Sequence, residues 1–247
     1  MFESAEIGHR ISRKDYKAAE ARLRQALLEA QYQLLESKQS AVIVLINGVD
    51  GAGKGETVNL LNEWMDPRHV RTEAFGAMTD ADHQHPEMWR FWQVLPPKGK
   101  IGILFGSWYT DPILAHVMGH EKKAAFARRL EAIRHFERML VAEGALVVKF
   151  WFHLSKKAAR QRFKALEADP HTAWRVTAQD WEHLKQYDPF IRVCEQALRR
   201  TGTGEAPGRV VEGSDAADRS LTVTQGLLEA MRRGRAGPGT ATAAPAA

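Results

Sequence analysis

Residues 41–46 form an unbroken apolar run that leads directly into Gly48-Val-Asp-Gly-Ala-Gly53-Lys54, followed by Gly55, Glu56 and Thr57. The run predicts a buried strand and residues 57–64 predict a helix, so the glycines must turn the chain sharply between them. G-x-x-x-x-G-K at such a junction is the pattern of a phosphate-binding loop. Glycines let the backbone curl until successive N–H groups converge on phosphate oxygens, and the helix N-terminus adds partial positive charge. Lys54 supplies a mobile cation for the phosphates. The loop set read from the sequence is Gly48, Asp50, Gly51, Ala52, Gly53, Lys54, Gly55, Glu56 and Thr57. A structural glycine turn is the alternative. The Ser or Thr that follows the lysine in most such loops, a Mg²⁺ ligand, is here Gly55, and Thr57 offers the nearest hydroxyl.

At 247 residues the chain can bury the core of one α/β domain. A net charge of +5 suits a polyanionic ligand and equally many proteins that bind none. The single cysteine, Cys194, excludes an intrachain disulfide and a cysteine-based metal cluster. No apolar stretch approaches the ~20 residues that span a bilayer, and the first residues carry no secretory apolar region. A cytoplasmic protein binding neither membrane nor nucleic acid is the expectation.

Strands are expected at 41–46, 70–75, 100–105, 145–152 and around Val210, and helices at 13–38, after the loop, near 85–93, and over 121–142, 155–169, 177–200 and 215–232. Ser155 reads as a helix cap, and Thr177 with Asp180 as a capping-box-like opening. Apolar strands alternating with helices imply an α/β, three-layer sandwich, with a mostly parallel sheet covered by helices on both faces. One domain over 1–233 is expected, and 234–247 (GRAGPGTATAAPAA) has the composition of a disordered tail or an inter-domain linker.

Three separated segments carry a resemblance. NGVDGAGKGET, LPPKGKIGILFGSWY (95–109) and EADPHTAWRVTAQDW (167–181) are together similar to the type-2 polyphosphate kinase family, and within it to the polyphosphate:AMP phosphotransferase branch. The likeness covers about residues 15–230, and some members of that branch carry two such domains in tandem. It implies a P-loop fold with a helical lid over 155–176. It also implies Mg²⁺ as cofactor, polyphosphate and AMP or ADP as substrates, and a homo-oligomer or a tandem partner domain. Asp50 inherits a place beside the metal and the transferred phosphates, and with Lys54 would be catalytic. Arg160, Arg162 and Arg175 become candidate lid cations.

Three departures from the family pattern stand at Phe105, Gly106 and Leu166, where an Asp, an Arg and a lid Arg are expected. Phosphoryl transfer is mostly positioning and charge neutralisation, so such losses should cost turnover more than binding. Three functions follow. The first is a polyphosphate-dependent nucleotide phosphotransferase. The second is a catalytically degenerate binding or dimerisation half of a tandem enzyme. The third is an ATP-dependent nucleoside monophosphate kinase, against which the 95–109 segment argues. The bland readings are a solvated face for the 156–164 basic helix, solvent exposure for Arg128, Arg129, Arg134 and Arg138, and a polar loop for Asp80, Asp82, His83 and His85. Trp64 and Trp151 are expected in the core, and Trp89, Phe91 and Trp92 in the core or in the wall of a nucleotide pocket.

Overall fold

Strand β1 (Val42–Gly48) lies at the centre of a five-stranded sheet. Its neighbours are β3 (Ile101–Phe105) and β4 (Leu146–His153), with β2 (Val70–Ala74) beyond β3 and β5 (Gly208–Glu212) beyond β4. Every pairing is parallel. The computed structural model describes residues 1–235.

Successive side chains of a strand point to opposite faces, and β1 is apolar on both. Val42, Val44 and Ile46 join Leu27, Leu61 and Leu227 on one side, from α1 (Arg13–Ser37), α2 (Lys54–Trp64) and α10 (Ala216–Arg235). Ile43 and Leu45 join Phe126, Ile133 and Cys194 on the other, from α6 (Lys123–Ala142) and α9 (Tyr187–Thr201). A central strand buried on both faces explains why the sequence signal there is a continuous apolar run. The expected three-layer α/β sandwich is the one found.

Short helices α3 (Asp80–His83), α4 (Trp89–Trp92) and α5 (Thr110–Val117) link β2, β3 and α6. Helix α7 (Lys156–Ala168) leaves β4 under the Ser155 cap, whose side chain accepts from the Ala158 amide. The helix expected over 177–200 is two, α8 (Ala178–Lys185) and α9, parted at Gln186. Pro189 explains the break, since its ring crowds the carbonyl of Lys185, four residues back. The Thr177–Asp180 capping box is present in full.

Other expectations need correction. Asp80 and Asp82 lie in a capped helical turn rather than a loop, with the Asp82 carboxylate closing a box with Thr79. Phe91 is core, whereas Trp92 is 47 % exposed and lays its ring edge on Phe136. Arg129 is no solvent-facing cation, because Glu87, Asp111 and Glu121 surround it. Helix α10 runs through Gly234 and Arg235, two residues into the expected linker, and the rest of that linker lies outside the described residues. No described helix is long and apolar enough to cross a membrane.

Candidate functional site

The strand order reverses about β1, so the loop at the C-terminal end of β1 sits where open parallel sheets place their ligands. Its shape is forced by neighbours. Gly48 has φ +129°, and a Cβ there would lie 2.0 Å from the Phe152 carbonyl oxygen of β4. The next amide, Val49, donates to that same carbonyl at 2.9 Å. Gly53 has φ +83° and caps α2, so Lys54, Gly55 and Glu56 open the helix with amides that have no intrahelical acceptor. The backbone therefore curls at Gly48 and Gly53 in the way the loop pattern requires.

Lys54 folds back into this cradle. Its ammonium donates to the Gly48 carbonyl at 2.6 Å and to Asp50 Oδ1 at 2.9 Å. The other Asp50 oxygen meets His183 Nδ1 of α8 at 2.9 Å. Burial disfavours the Asp50 charge, but Lys54 and His183 outweigh it and hold the carboxyl well below the usual carboxylate range. The hydrogen bond to Asp50 in turn raises His183 above its ordinary value, against burial and against Lys54.

A raised histidine stabilises the fold below its unfolded value of 6.5, and that contribution is lost as pH rises through the folded value. The Asp50 contribution is lost only in strong acid. The melting temperature should therefore fall more between about pH 6 and about pH 9 in the native chain than in His183→Gln. Parallel melting curves across that range would sink this assignment.

The Glu56 side chain turns away from the loop backbone: its carboxylate is held by Arg162 at 2.7 Å and Arg175 at 3.1 Å on Oε1, and by Arg219 at 2.6 Å on Oε2. The guanidinium of Arg219 lies flat on the loop, in the space a Gly53 Cβ would fill, and also donates to the Gly213 carbonyl. Arg160 is exposed on α7 and stays out of this cluster. Thr57 is buried with its hydroxyl donating to Gly53, so it makes no open ligand for a metal or phosphate. Ala52 is wholly buried and contributes backbone alone.

The residues present do not form a cation site of their own. Both Asp50 oxygens already have partners, Lys54 and His183, and the described residues hold no group of three metal-binding side chains. A Mg²⁺ normally takes one or two carboxylates plus substrate phosphates. Phe105 occupies the position where the family pattern places the second acid.

The Ser107-Trp108-Tyr109 motif does structural work behind the loop. Ser107 Oγ donates to Asn47 Oδ1 at 2.9 Å, tying the end of β3 to the last residue before Gly48. Trp108 Nε1 and Tyr109 Oη donate to Glu137 Oε1 at 3.0 and 2.7 Å. Lys149 of β4 completes the network, 2.7 Å from Glu137 Oε2 and 3.0 Å from the Thr201 carbonyl. Lys149 and Glu137 are 4 % and 2 % exposed, an ion pair inside the domain.

Beside the loop opens a cavity of about 320 Å³, within the size of small-molecule sites. Asp50, Lys54 and His183 line its polar end, and Phe75, Phe105, Ile113, Val117 and Phe190 its apolar walls. The Phe105 ring reaches toward the loop, its Cε1 4.0 Å from where a Gly55 Cβ would stand. Gly106 has φ +75°, so an arginine at that position would be strained on this backbone.

The structure thus places Lys54 against Asp50, and Arg162 and Arg175 together on Glu56. His183 and Arg219 were not anticipated, and neither sits in a local pattern that announces it. The N-terminal segment was also silent, yet Glu6 reaches buried His153 at 2.7 Å and the Gly8 amide donates to Glu212, closing the ends of β4 and β5.

A glycine-rich loop, a lysine folded into it and a parallel sheet with helices on both faces define a protein of the P-loop fold. Residues 10–236 match the family model for polyphosphate kinase 2, and the chain belongs to that family. It is 51% identical over 232 residues to a polyphosphate:AMP phosphotransferase of Pseudomonas aeruginosa, covering 94% of this chain and 47% of that protein. It is 30% identical to an AMP/ADP-polyphosphate phosphotransferase of Meiothermus ruber, covering 85% of this chain and 78% of that one. Among solved structures, polyphosphate kinase 2 from Arthrobacter aurescens superposes with a TM-score of 0.88 at 29% identity, covering 94% of this chain and 83% of that one. The chain spans about half the length of the Pseudomonas relatives it matches.

Proposed function

We propose that this chain handles polyphosphate in a polyphosphate-dependent nucleotide phosphotransferase, with phosphoryl groups passing between polyphosphate and AMP or ADP. The observation that carries the reading is the Lys54 ammonium, set in the mouth of the loop at the edge of a cavity of small-molecule size. Loop amides and Lys54 would bind and orient the end of a phosphate chain, and the cavity would hold the acceptor. The names of the relatives support these substrates. Any Mg²⁺ would arrive as the companion of the phosphate chain, since the protein offers it only Asp50. A cytoplasmic setting and a homo-oligomeric or tandem arrangement complete the reading.

A second reading has specific support: a binding or assembly half whose own turnover is weak. Phe105 puts an aromatic ring where an acid is expected, Gly106 offers no side chain, and three of the cations nearest the loop are engaged by Glu56. The loop-and-cavity site would still bind phosphate while neutralising less of the transition-state charge.

The deciding experiment is ADP formation from AMP with polyphosphate or ATP as donor, using Lys54→Ala as the blank. Turnover with polyphosphate that disappears in the variant is expected under the first reading. Preference for ATP would replace it with a nucleoside monophosphate kinase. A folded chain with no turnover above the blank would favour the second.

A further inference from the structure

We propose that Glu56 is a built-in competitor for phosphate: its carboxylate fills a three-guanidinium cradle beside the loop, and an inorganic oligophosphate displaces it. This rests on the polyphosphate reading above and adds to it a carboxylate already seated on the cations that a phosphate chain would use.

The cradle draws on three elements. Arg162 comes from α7, Arg175 from the 3-10 turn that follows it, and Arg219 from α10. All three converge on one side chain in the first turn of α2, two residues after Lys54. Three guanidinium charges against one carboxylate leave the cluster strongly cationic. Burial holds the Arg219 guanidinium below its ordinary basicity and Arg162 adds to that, while Asp215 is the acid that opposes it alongside Glu56.

A solvated ion-pair cluster would need no ligand. Arg219 is not solvated: its side chain is 5 % exposed, and its buried Nε has no hydrogen-bond partner. A cation has been placed under the loop with a donor unused. Guanidinium forks match phosphate oxygens as well as they match a carboxylate. Arg162 and Arg175 are 42 % and 35 % exposed, free to re-aim, whereas Arg219 is fixed.

The two states exclude one another. Oε1 of Glu56 takes both mobile arginines, so while it holds them the segment from α7 to Arg175 is fastened to α2. Phe163 adds a second hold, its ring Cε1 2.8 Å from where a Gly51 Cβ would be. A phosphate chain extending from the loop offers the same guanidinium groups several anionic oxygens, and its gain must exceed what Glu56 provides. Removing the carboxylate removes that competitor.

The test measures metal-free tripolyphosphate binding by calorimetry in the native chain, Glu56→Gln, Glu56→Asp and Lys54→Ala. Hydrogen exchange of residues 156–176 is followed without ligand. Glu56→Gln should tighten tripolyphosphate about tenfold, a typical coupling between competing sites, and speed exchange across 156–176. Glu56→Asp, which draws the charge back by one methylene, should fall between. Equal or weaker affinity in both variants would overturn the proposal, as would unchanged exchange in Glu56→Gln. If the native chain binds through Lys54 and the Glu56 variants match it, only the competitor is refuted. If no variant binds tripolyphosphate, the polyphosphate reading fails and the cradle with it.

Discussion

Replacing Lys149 by methionine should destabilise the domain by about 3–5 kcal/mol, the usual penalty for breaking a buried ion pair from one side. For a domain of this size that is a fall in melting temperature on the order of 10 °C. Glu137 would remain 2 % exposed with a full negative charge, keeping only the neutral donors Trp108 Nε1 and Tyr109 Oη. Burial and the Glu137 charge already push the Tyr109 phenol well above its ordinary value, so it stays a donor and cannot share the charge. Removing both charges together, in Glu137→Leu with Lys149→Met, should cost clearly less than the two single losses summed. Trp108 Nε1 would still lose its acceptor, a penalty of about 1–3 kcal/mol, while Tyr109 retains Thr201 Oγ1 at 2.8 Å. Denaturant melts of the two single variants and the pair decide the matter. Strictly additive losses would mean that the two charges act independently.

The same residues show where reading the sequence stops. Lys149 stands among apolar residues in β4, a lone lysine that was open to notice although no reading was made of it. Its partner was not, because Glu137 lies among the many charges of α6 and nothing local distinguishes it. The loop and β1 were legible because one strand buried on both faces and several glycines with positive φ leave a signal in consecutive residues. The break at Gln186 was legible in principle, since Pro189 was in view. Helix α5, missed entirely, has only eight residues and follows directly on a motif that drew attention to itself. Within the site, Lys54 and Asp50 belong to the motif, whereas His183 and Arg219 reach it from α8 and α10. Which face of a distant helix arrives at a loop is decided by packing, and no short pattern encodes it.

Restoring a carboxylate and a cation should raise turnover by about a hundred- to a thousandfold, the scale of a single well-placed transition-state group. The variant is Phe105→Asp with Leu166→Arg, assayed for ADP formation from AMP and polyphosphate against the same chain carrying Lys54→Ala. Phe105 ends β3 and shares the cavity wall with Asp50, so an acid there gives a Mg²⁺-bearing phosphate chain the second carboxylate it lacks. Leu166 lies one helical turn beyond Arg162 on α7, and residues four apart share a helix face. An arginine there joins the face that already meets Glu56, without drawing on the three engaged guanidinium groups. Gly106 is best left alone, because its φ of +75° would charge an arginine with backbone strain. The loss of Phe105 also removes apolar contacts within the core on the α1 side, so melting curves must accompany the assay. A folded variant whose turnover rises and then vanishes with Lys54→Ala would mean that this loop is a working site lacking only its charges. A folded variant that stays at the blank would mean that the cavity geometry, not the missing groups, keeps the domain from catalysis.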